Sequence, residues 1–380
     1  MAPTLTEASL AIRDALTDAS RGLVEREQLV DLIALTAIAQ EHLLVIGPPG
    51  TAKSEAVRRV ARTFGGRYFE YLLGRFTEPS EVFGPVDLKK LKDGLVETQT
   101  AGMLPEAEIA FLDEVFLGST AILNTLLGLL NERVFRRGHT LVKCPLRVCI
   151  GASNAIPEEP SLAAFADRFL VRVFVEPIAD AKLEALLDGG AALARLELTQ
   201  RASLEHLDVL SVAAKQANTA RLRDPLAHAV RLLRKAGVEL SDRRVVKVQR
   251  LACAAAVMGG RTEPTDADLW PIVYAVPTLD GQRLAQDVLK DVLKHSQSSA
   301  LIAAAEAASN APGVRAARIA ETATGLFTQA PAADDGSATE RWLLKLEGVA
   351  REIDASFDPT ALPAELVPVR ARLTELLRPR

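Results

Sequence analysis

Aromatic residues and cysteines are scarce in this sequence. Aromatic side chains make up only 4% of the chain, so its cores must be mainly aliphatic and rich in alanine, which favours helices. The three cysteines, Cys144, Cys149 and Cys253, are odd in number and contain no Cys-x-x-Cys pair. We therefore expect small, buried, reduced thiols in a cytoplasmic protein, because neither a disulfide framework nor a thiolate metal site has the residues it needs.

The chain also lacks a strong charge of either sign and any long apolar run. Lys and Arg number 45 against 49 Asp and Glu, and the net charge of −4 gives no support for bulk binding to nucleic acid, although a local basic surface stays open. No apolar run reaches the length of a membrane span, and the first residues lack the pattern of a signal peptide. The five histidines are scattered without ligand spacing, which argues against a histidine metal site. We expect a cytoplasmic protein without membrane insertion.

A turn rich in glycine and proline follows the apolar run from Leu43 to Ile46. The segment from Gly47 to Ser54 has the strand–turn–helix layout of a phosphate-binding P-loop, in which backbone N–H groups and the helix start bind phosphate oxygens. Lys53 would place a positive charge on the β- and γ-phosphates, and Ser54 would offer a hydroxyl to Mg²⁺. The common pattern has glycine where Ala52 stands, so an ordinary strand-to-helix turn stays open. The residues predicted to bind nucleotide are Val24, Gly47, Pro48, Pro49, Gly50, Thr51, Ala52, Lys53, Ser54 and Glu55.

Two adjacent acids, Asp113 and Glu114, directly follow the apolar run from Ile109 to Leu112. Such a strand delivers them to the carboxyl end of a parallel sheet, where ligands bind in open α/β folds. Asp113 is suited to hold Mg²⁺, and Glu114 to orient and polarise an attacking water. A pair of acids can also cap the next helix, but their distance from the P-loop favours the catalytic interpretation.

A third strand pattern, from Leu146 to Ala152, ends in Ser153 and Asn154. It would bring Asn154 to the same edge of the sheet, where its amide could contact the γ-phosphate or the attacking water. An asparagine after a strand is often only a turn residue, and both interpretations stay open.

Two arginines are candidates for contacts with phosphate from other positions. Arg168 comes just before the last strand pattern, on the rim of the predicted sheet, from where it could reach the γ-phosphate of a neighbouring subunit. Arg243 follows Ser241, a good helix N-cap, and could lean over the nucleotide from a helical lid. A surface salt bridge for Arg168 and a solvated helix face for Arg243 are the alternatives.

Strand and helix patterns alternate from residue 40 to residue 176, which predicts an α/β fold with a mostly parallel sheet. Nearly everything after residue 177 has a helical pattern. We expect a nucleotide-binding core with N-terminal helices over 1–177, an all-helical lid over 178–280 and a helical C-terminal extension over 281–380. Two hairpin-like inserts are predicted, near 88–100 and 134–142.

These motifs together resemble the AAA+ ATPases, and within them the MoxR group and its RavA-like branch. The resemblance spans roughly residues 20–280, and Ala52 before the lysine is the form found in that branch. The segments that carry it, besides Gly47 to Ser54, are 68–76 (YFEYLLGRF), 81–85 (EVFGP), 102–107 (GMLPEA), 111–114 (FLDE), 130–133 (LNER) and 151–154 (GASN).

The resemblance implies a role for each candidate residue, with ATP and Mg²⁺ as cofactors. Lys53 and Ser54 correspond to Walker A, and Asp113 and Glu114 to Walker B. The segment from Leu23 to Arg26 corresponds to the part that contacts the adenine, although the family often has glycine where Glu25 stands. Asn154 corresponds to sensor 1, Arg168 to the arginine finger and Arg243 to sensor 2.

The resemblance further implies a ring, typically a hexamer, that remodels or activates partner proteins in a chaperone-like way, often together with a von Willebrand factor A domain protein. The alternatives are a motor stimulated by nucleic acid and a nucleotide-gated scaffold with slow turnover. The motor is suggested by basic residues near the second insert, but such hairpins are more often solvated turns, so binding to nucleic acid is not expected. The scaffold conflicts with the intact Asp113–Glu114 pair.

Overall fold

The computed structural model describes residues 3–178, 180–193, 196–296, 298–309, 312–331, 336–357 and 362–377. The chain divides by its contacts into two compact units, residues 1–177 with 195–309 and residues 178–194 with 310–380. The three-part division at residues 177 and 280 stays a prediction. Within the described residues, no helix is long and apolar enough to cross a membrane.

The first unit contains a five-stranded sheet in the order β2-β3-β6-β1-β7, in which all pairings are parallel. This confirms the predicted α/β class. The strands are short and apolar, and β1 and β6 are buried along their whole length, as expected when helices cover both faces of a parallel sheet. The strands are β1 (Leu43–Ile46), β2 (Tyr68–Leu72), β3 (Ile109–Asp113), the separate hairpin β4 (Val134–Arg137) and β5 (Thr140–Lys143), β6 (Val148–Ser153) and β7 (Val171–Phe174).

The strand register defines two edges of this sheet. Ile46 lies beside Ser153 and Phe174, and Leu72 lies beside Asp113, so these strands end together. We call this side the carboxyl edge. The opposite side, where Leu43, Ile109 and Val171 begin their strands, is the amino edge.

Helices connect the strands in the first half of the chain. The first begins at a capping box, in which the Thr4 side chain accepts from the Glu7 N–H and the Glu7 side chain accepts from the Thr4 N–H. The second, which precedes β1, is buried over nearly its whole length. These helices are α1 (Leu5–Ser20), α2 (Glu27–Ala39), α3 (Lys53–Phe64), α4 (Pro79–Phe83), α5 (Leu88–Lys92), α6 (Thr120–Glu132) and α7 (Pro160–Ala166).

The rest of the described chain is helical, which confirms the predicted helical C-terminal region. The second unit has an apolar core of its own, built around Ile319, Leu346, Ile353 and Leu373. The helices of both units after β7 are α8 (Leu183–Leu193), α9 (Leu204–Gln216), α10 (Ala220–Lys235), α11 (Asp242–Met258), α12 (Leu279–Val288), α13 (Lys290–Leu293), α14 (Ile302–Ser309), α15 (Pro312–Thr328), α16 (Gly336–Ser356) and α17 (Leu366–Leu376).

One of the two predicted hairpins is wrong. Strands β4 and β5 form the second hairpin as expected, but residues 88–100 contain the helix α5 and only an isolated bridge between Val86 and Thr98. The Asp87 carboxylate accepts from two N–H groups of the first turn, and this cap selects the helix. The segment after α5 then packs on the hairpin, where Val96 and His139 exchange two hydrogen bonds of 2.8 and 3.1 Å.

All three cysteines are buried and unpaired, as the sequence predicts. Burial raises the pKa of Cys149 to about 12 and that of Cys144 and Cys253 to about 11. These thiols therefore stay protonated near neutral pH and act as small core residues.

Candidate nucleotide-binding site

The P-loop follows β1 at the carboxyl edge. The Gly47 N–H donates to Ser153 O at 3.0 Å, and a Cβ at Gly47 would lie 2.2 Å from Val175 O. Only glycine fits so close to the backbone that leaves β7. Gly50 has open space around it but a φ of +80°, a left-handed conformation that also favours glycine. Each of these two glycines is therefore required by the loop, for a different reason.

Ala52 is in the left-handed region, with φ 58° and ψ 27°, immediately before α3. The P-loop pattern has glycine at this position because glycine adopts positive φ without a steric penalty. Alanine takes the same conformation at a cost of about 1 kcal/mol. The substitution thus keeps the geometry of the loop and adds local strain.

Lys53 is buried in the loop, with 8% of its surface exposed. Its Nζ donates to Gly47 O at 2.6 Å and to Pro48 O at 2.9 Å. Burial lowers the pKa of Lys53, and the nearby carboxylates of Asp113 and Glu114 oppose that shift. The structure therefore brings the P-loop lysine and the acidic pair into one electrostatic environment.

Asp113 and Glu114 end β3 at the same edge as the P-loop. The Glu114 N–H donates to Asp113 Oδ1 at 3.0 Å, and Glu114 has a φ of 49°. The Nδ2 of Asn154, which follows β6, donates to Glu114 Oε1 at 2.7 Å. Two side chains that are 40 residues apart in sequence are thus joined directly, and one carboxylate oxygen of Glu114 is held in place.

Ser54 and Asp113 are suited to hold Mg²⁺ here. Ser54 lies in the first turn of α3 and Asp113 at the end of β3, both at the carboxyl edge. Among the described residues no group of three or more His, Cys, Asp and Glu side chains could hold a metal ion. Mg²⁺ is often bound by one or two protein oxygens together with water and substrate phosphates, which is what this pair could offer.

Arg26 is a positioning residue of this site for which the sequence provided no distinctive signal. It is 5% exposed, and its Nε donates to Thr51 O at 2.8 Å while its Nη2 donates to Glu176 O at 2.9 Å. One guanidinium thereby ties the P-loop to the chain that leaves β7. Burial lowers the pKa of Arg26, but an arginine stays charged at any ordinary pH.

Three further predicted residues lie beside the P-loop in different settings. Val24 is half-buried, and Glu25 has a φ of 56°, a left-handed conformation that glycine adopts more easily than glutamate. Glu55, in the first turn of α3, pairs with Arg58 at 2.9 Å. Its carboxylate is therefore engaged by a neighbour on its own helix.

Arg168 lies at the amino edge, on the opposite side of the sheet from the P-loop. It precedes β7, whose first residue Val171 donates its N–H to His42 O at 3.2 Å, just before β1 begins. The Nε of Arg168 is buried and has no hydrogen-bond partner within the described part of the chain. The structure therefore does not bring Arg168 to the P-loop of its own chain.

Arg243 also lies at the amino edge. Its Nη2 donates to Asn131 Oδ1 at 2.7 Å, near the end of α6, and Lys247 on the next turn pairs with Glu41. Helix α6 returns from the carboxyl edge, so its last residues lie far from Glu114 along the helix. The sequence predicts that Arg243 leans over the nucleotide from a helical lid. In the structure Arg243 does not lie at the nucleotide edge of its own chain.

A protein-family model covers residues 10–214, more than half of the chain, and is described as the MoxR domain in the MoxR-vWA-beta-propeller ternary systems. This chain belongs to the MoxR family of AAA+ ATPases. The MoxR domain contains Lys53, Asp113, Glu114, Asn154 and Arg168, whereas Arg243 lies beyond it.

Relatives of this MoxR protein include two uncharacterized proteins of Methanocaldococcus jannaschii. They are 37% and 36% identical to it, each over 65% of this chain, and the matches span 66% and 64% of their own length. The chaperone MoxR1 of Mycobacterium tuberculosis is 27% identical over 42% of this chain and 43% of its own. The match to the chaperone MoxR1 agrees with the family assignment.

The fold of this MoxR protein is similar to the crystal structure of a "putative ATPase" from Cytophaga hutchinsonii. The two share 17% sequence identity with a TM-score of 0.60, over 77% of this chain and 98% of the other. At that identity the likeness concerns the fold alone. It agrees with the parallel sheet and the helices that follow it.

Proposed function

We propose that this MoxR protein binds ATP with Mg²⁺, hydrolyses it in a ring of identical chains, typically a hexamer, and uses the energy to remodel or activate a partner protein. The observation that carries the proposal is the convergence of Lys53, Asp113, Glu114 and Asn154 at one edge, with Asn154 bonded to Glu114 at 2.7 Å. Hydrolysis of a phosphoanhydride needs a phosphate-binding lysine, acidic residues for the metal and the water, and a polar residue near the γ-phosphate. Asn154 is suited to the last role because it follows β6, the strand between β1 and β3.

The P-loop would bind the phosphates of ATP. Its N–H groups and the start of α3 attract anions, and Lys53 adds a full charge where the β- and γ-phosphates would lie. Ser54 and Asp113 would hold Mg²⁺, which when bound supplies positive charge that stabilises the phosphate oxygens. Val24 and Glu25 would lie toward the adenine, and Arg26 would keep Thr51 and the loop in place.

Glu114 would orient and polarise the attacking water. The hydrogen bond from Asn154 to Glu114 Oε1 leaves the second oxygen of the carboxylate to accept from that water. The same amide of Asn154 can exchange its bond to Glu114 for one to the γ-phosphate. In this proposal Asn154 reports the state of the nucleotide to the base.

Arg168 would act on the ATP of a neighbouring chain. It lies at the amino edge, so the γ-phosphate it serves must come from a second copy whose carboxyl edge faces it. A ring satisfies this requirement for every copy at once, because each chain both receives and supplies an arginine. Arg243, at the same edge, would likewise sense the nucleotide of a neighbour.

We further propose a von Willebrand factor A domain protein as the partner and a place in the RavA-like branch. The family description that matches this chain names MoxR domains in systems with such a protein. The branch rests on the P-loop form with Ala52. Affinity purification of Glu114→Gln in ATP should retain that partner, and a trap that retains none in any nucleotide state would contradict this part.

The test of the proposed reaction is Glu114→Gln in the full chain, with Glu97→Gln in the insert as the matched control. Glutamine keeps the shape of the side chain and its contact with Asn154 but cannot act as a base. We expect ATP binding to change less than about twofold and turnover to fall at least about 100-fold, the usual share of a general base. Full turnover in Glu114→Gln would overturn the mechanism.

The two alternatives make different predictions for the same assay. A motor would be stimulated by DNA in a salt-dependent way, and a scaffold would bind ATP with turnover close to the uncatalysed rate. The structure offers the motor little support, because Arg136 pairs with Glu132, Arg137 donates to Gly84 O and His139 accepts from Val96. Several basic groups of the hairpin are thus used within the fold.

A further inference from the structure

We propose that Arg244 is the positioning residue of the arginine finger, and that it holds the turn around Arg168 in the geometry needed to act on a neighbouring chain. This inference rests on the proposed function, in which Arg168 serves a second copy. Arg244 itself would touch neither ATP nor the reacting atoms.

The contacts of Arg244 converge on the turn that carries Arg168. Arg244 is 3% exposed, and its Nε pairs with Asp167 Oδ1 at 2.7 Å. Its Nη1 donates to Leu170 O at 2.9 Å and its Nη2 to Phe169 O at 3.2 Å. The residue before Arg168 and the two residues after it are therefore all held by one guanidinium.

Arg168 differs from Arg244 in what its own guanidinium contacts. Within the described part of the chain, no group accepts a hydrogen bond from the buried Arg168 Nε. The buried Nε is closed to a second molecule, but Arg168 as a whole is half-buried, and within the described part of the chain its terminal guanidinium nitrogens have no hydrogen bond or ion pair. The backbone around Arg168 is therefore fixed while these nitrogens are not engaged by the described residues of its own chain. That combination suits a residue whose ligand arrives from outside the chain, since an immobile backbone lowers the entropy lost on contact.

An arginine is required at position 244 because its planar fork donates in several fixed directions. In addition to the turn, Arg244 Nη1 donates to Ala275 O at 2.7 Å, in the segment after α11. A lysine retains the charge but is a point donor, and it cannot reach Asp167, Phe169, Leu170 and Ala275 together. Arg244→Lys should therefore loosen the turn while the buried ion pair with Asp167 keeps its charge.

The experiment mixes variant chains of the full-length protein and measures ATP turnover. Arg244→Lys alone should lower kcat about tenfold or more, with KM for ATP within about twofold, because its own P-loop is intact. Mixing it with Lys53→Ala chains, which lack turnover but carry an intact turn at 167–170, should restore part of the activity. An Arg244 with only a structural role within its own chain would show no recovery at any mixing ratio, and that result would overturn the proposal.

Arg168→Ala separates this proposal from the proposed function. If Arg168→Ala is not rescued by Lys53→Ala chains, the finger in trans fails. If Arg168→Ala is rescued and Arg244→Lys is not, only the positioning role fails. The double variant Arg168→Ala/Arg244→Lys should turn over no more slowly than Arg168→Ala, because a positioning residue has no effect once the residue it positions is gone.

Two further variants cover the case in which Arg244→Lys does not fold. Asp167→Ala removes the partner whose side chain is 40% exposed, and it should give the same fall in kcat and the same rescue. Arg250→Lys, an exposed arginine farther along α11, is the control and should leave turnover unchanged. An Asp167→Ala protein with normal turnover would contradict the proposal as directly as a failed rescue.

Discussion

The two edges of the sheet differ in what their polar residues contact. At the carboxyl edge, Asn154 is hydrogen-bonded to Glu114, and Lys53 is near enough to Asp113 and Glu114 for their charges to raise its pKa against the effect of burial. At the amino edge, Arg243 and Arg244 are bonded to other elements, and Arg168 is held through its backbone. One chain thus carries both halves of the proposed ATP site, at edges that cannot meet within the chain.

Backbone strain distinguishes the edges as well. Gln40 and Arg133, at the amino edge, have positive φ because they cap the ends of α2 and α6, where the left-handed conformation is common. Glu25, Ala52 and Glu114 have positive φ at the carboxyl edge without capping a helix end in that way. Strain of this kind is usual at sites that bind a ligand.

The largest expected difference concerns two lysines, the buried Lys53 at the carboxyl edge and the partly buried Lys247 at the amino edge. Lys53→Met should weaken ATP binding about 100-fold, because it removes a charged donor to phosphate, and should lower the free energy of unfolding by only about 1 kcal/mol through the two carbonyl hydrogen bonds it removes. Lys247→Met should leave ATP binding intact and lower the free energy of unfolding by about 3 kcal/mol, because it leaves the buried Glu41 with only the more distant Arg250. Calorimetric titration measures the ATP affinity of each variant, and denaturant unfolding measures its stability. If Lys53→Met and Lys247→Met weakened ATP binding equally, the proposed difference between the two edges would be wrong.

Two asparagines allow a sharper version of the same comparison. Asn154→Ala should lower kcat about 10- to 100-fold with little change in KM, because it frees the Glu114 carboxylate from a charge-assisted hydrogen bond. Asn131→Ala frees Arg243 and should change kcat of the same chain less than about twofold, since a lost surface contact is worth little. Steady-state kinetics of both variants test this ranking. The reverse ranking would mean that turnover depends more on the contact of Asn131 with Arg243 than on the contact of Asn154 with Glu114.

Acid should weaken the amino edge through His42. Burial holds the pKa of His42 well below its usual value, and the ring accepts from the Cys149 N–H at 3.0 Å. A depressed pKa means that this stabilisation is present above about pH 6.5 and is lost as the pH falls toward the lower value, with a slope of at most about 1.4 kcal/mol per pH unit. The unfolding temperature of the wild type should therefore fall more between pH 7.5 and 5.5 than the unfolding temperature of His42→Gln.

The control for this pH experiment is His139→Gln, which should follow the wild type. Asp31 contributes with the opposite sign, because burial raises its pKa to about 7 and its stabilising effect is lost as the pH rises from about 4 to 7. The comparison is therefore repeated in an Asp31→Asn background. A wild type and His42→Gln with parallel pH profiles in both backgrounds would show that His42 does not titrate on unfolding.

The smallest expected effect is on the strained alanine of the P-loop. Ala52→Gly should raise the free energy of unfolding by less than about 1 kcal/mol, because glycine relieves the strain of positive φ but loses more entropy on folding. Ala61→Gly, inside the helix α3 that follows Ala52, should lower the free energy of unfolding by about 1 kcal/mol. Denaturant unfolding gives the sign of the change in the free energy of unfolding for each variant. If Ala52→Gly destabilised the protein, the alanine side chain would be needed for packing.

The predictable parts of the fold depended on local patterns. The strands of the sheet, the P-loop and the Asp113–Glu114 pair could be found because apolar runs of four to six residues end in polar or glycine-rich turns. The segment 88–100 was predicted wrongly, because the turn at 92–94 between two β-compatible segments says nothing of the Asp87 cap that starts α5. Arg26 was predicted only as the end of the segment assigned to the adenine. Its role in binding backbone carbonyls, and that of Arg244, were not predicted because this role has no sequence signature.

By itself the sequence determined which residues can bind phosphate and metal and where the strands end, since hydrogen bonding and side-chain alternation act between near neighbours. Only the tertiary structure decided on which edge Arg243 and Arg244 lie. Arg243 meets Asn131 across 112 residues of sequence, and Arg244 meets Asp167 across 77. Such contacts depend on how the helices pack against the sheet. The residues next to an arginine in the sequence do not indicate which edge of the sheet it will contact.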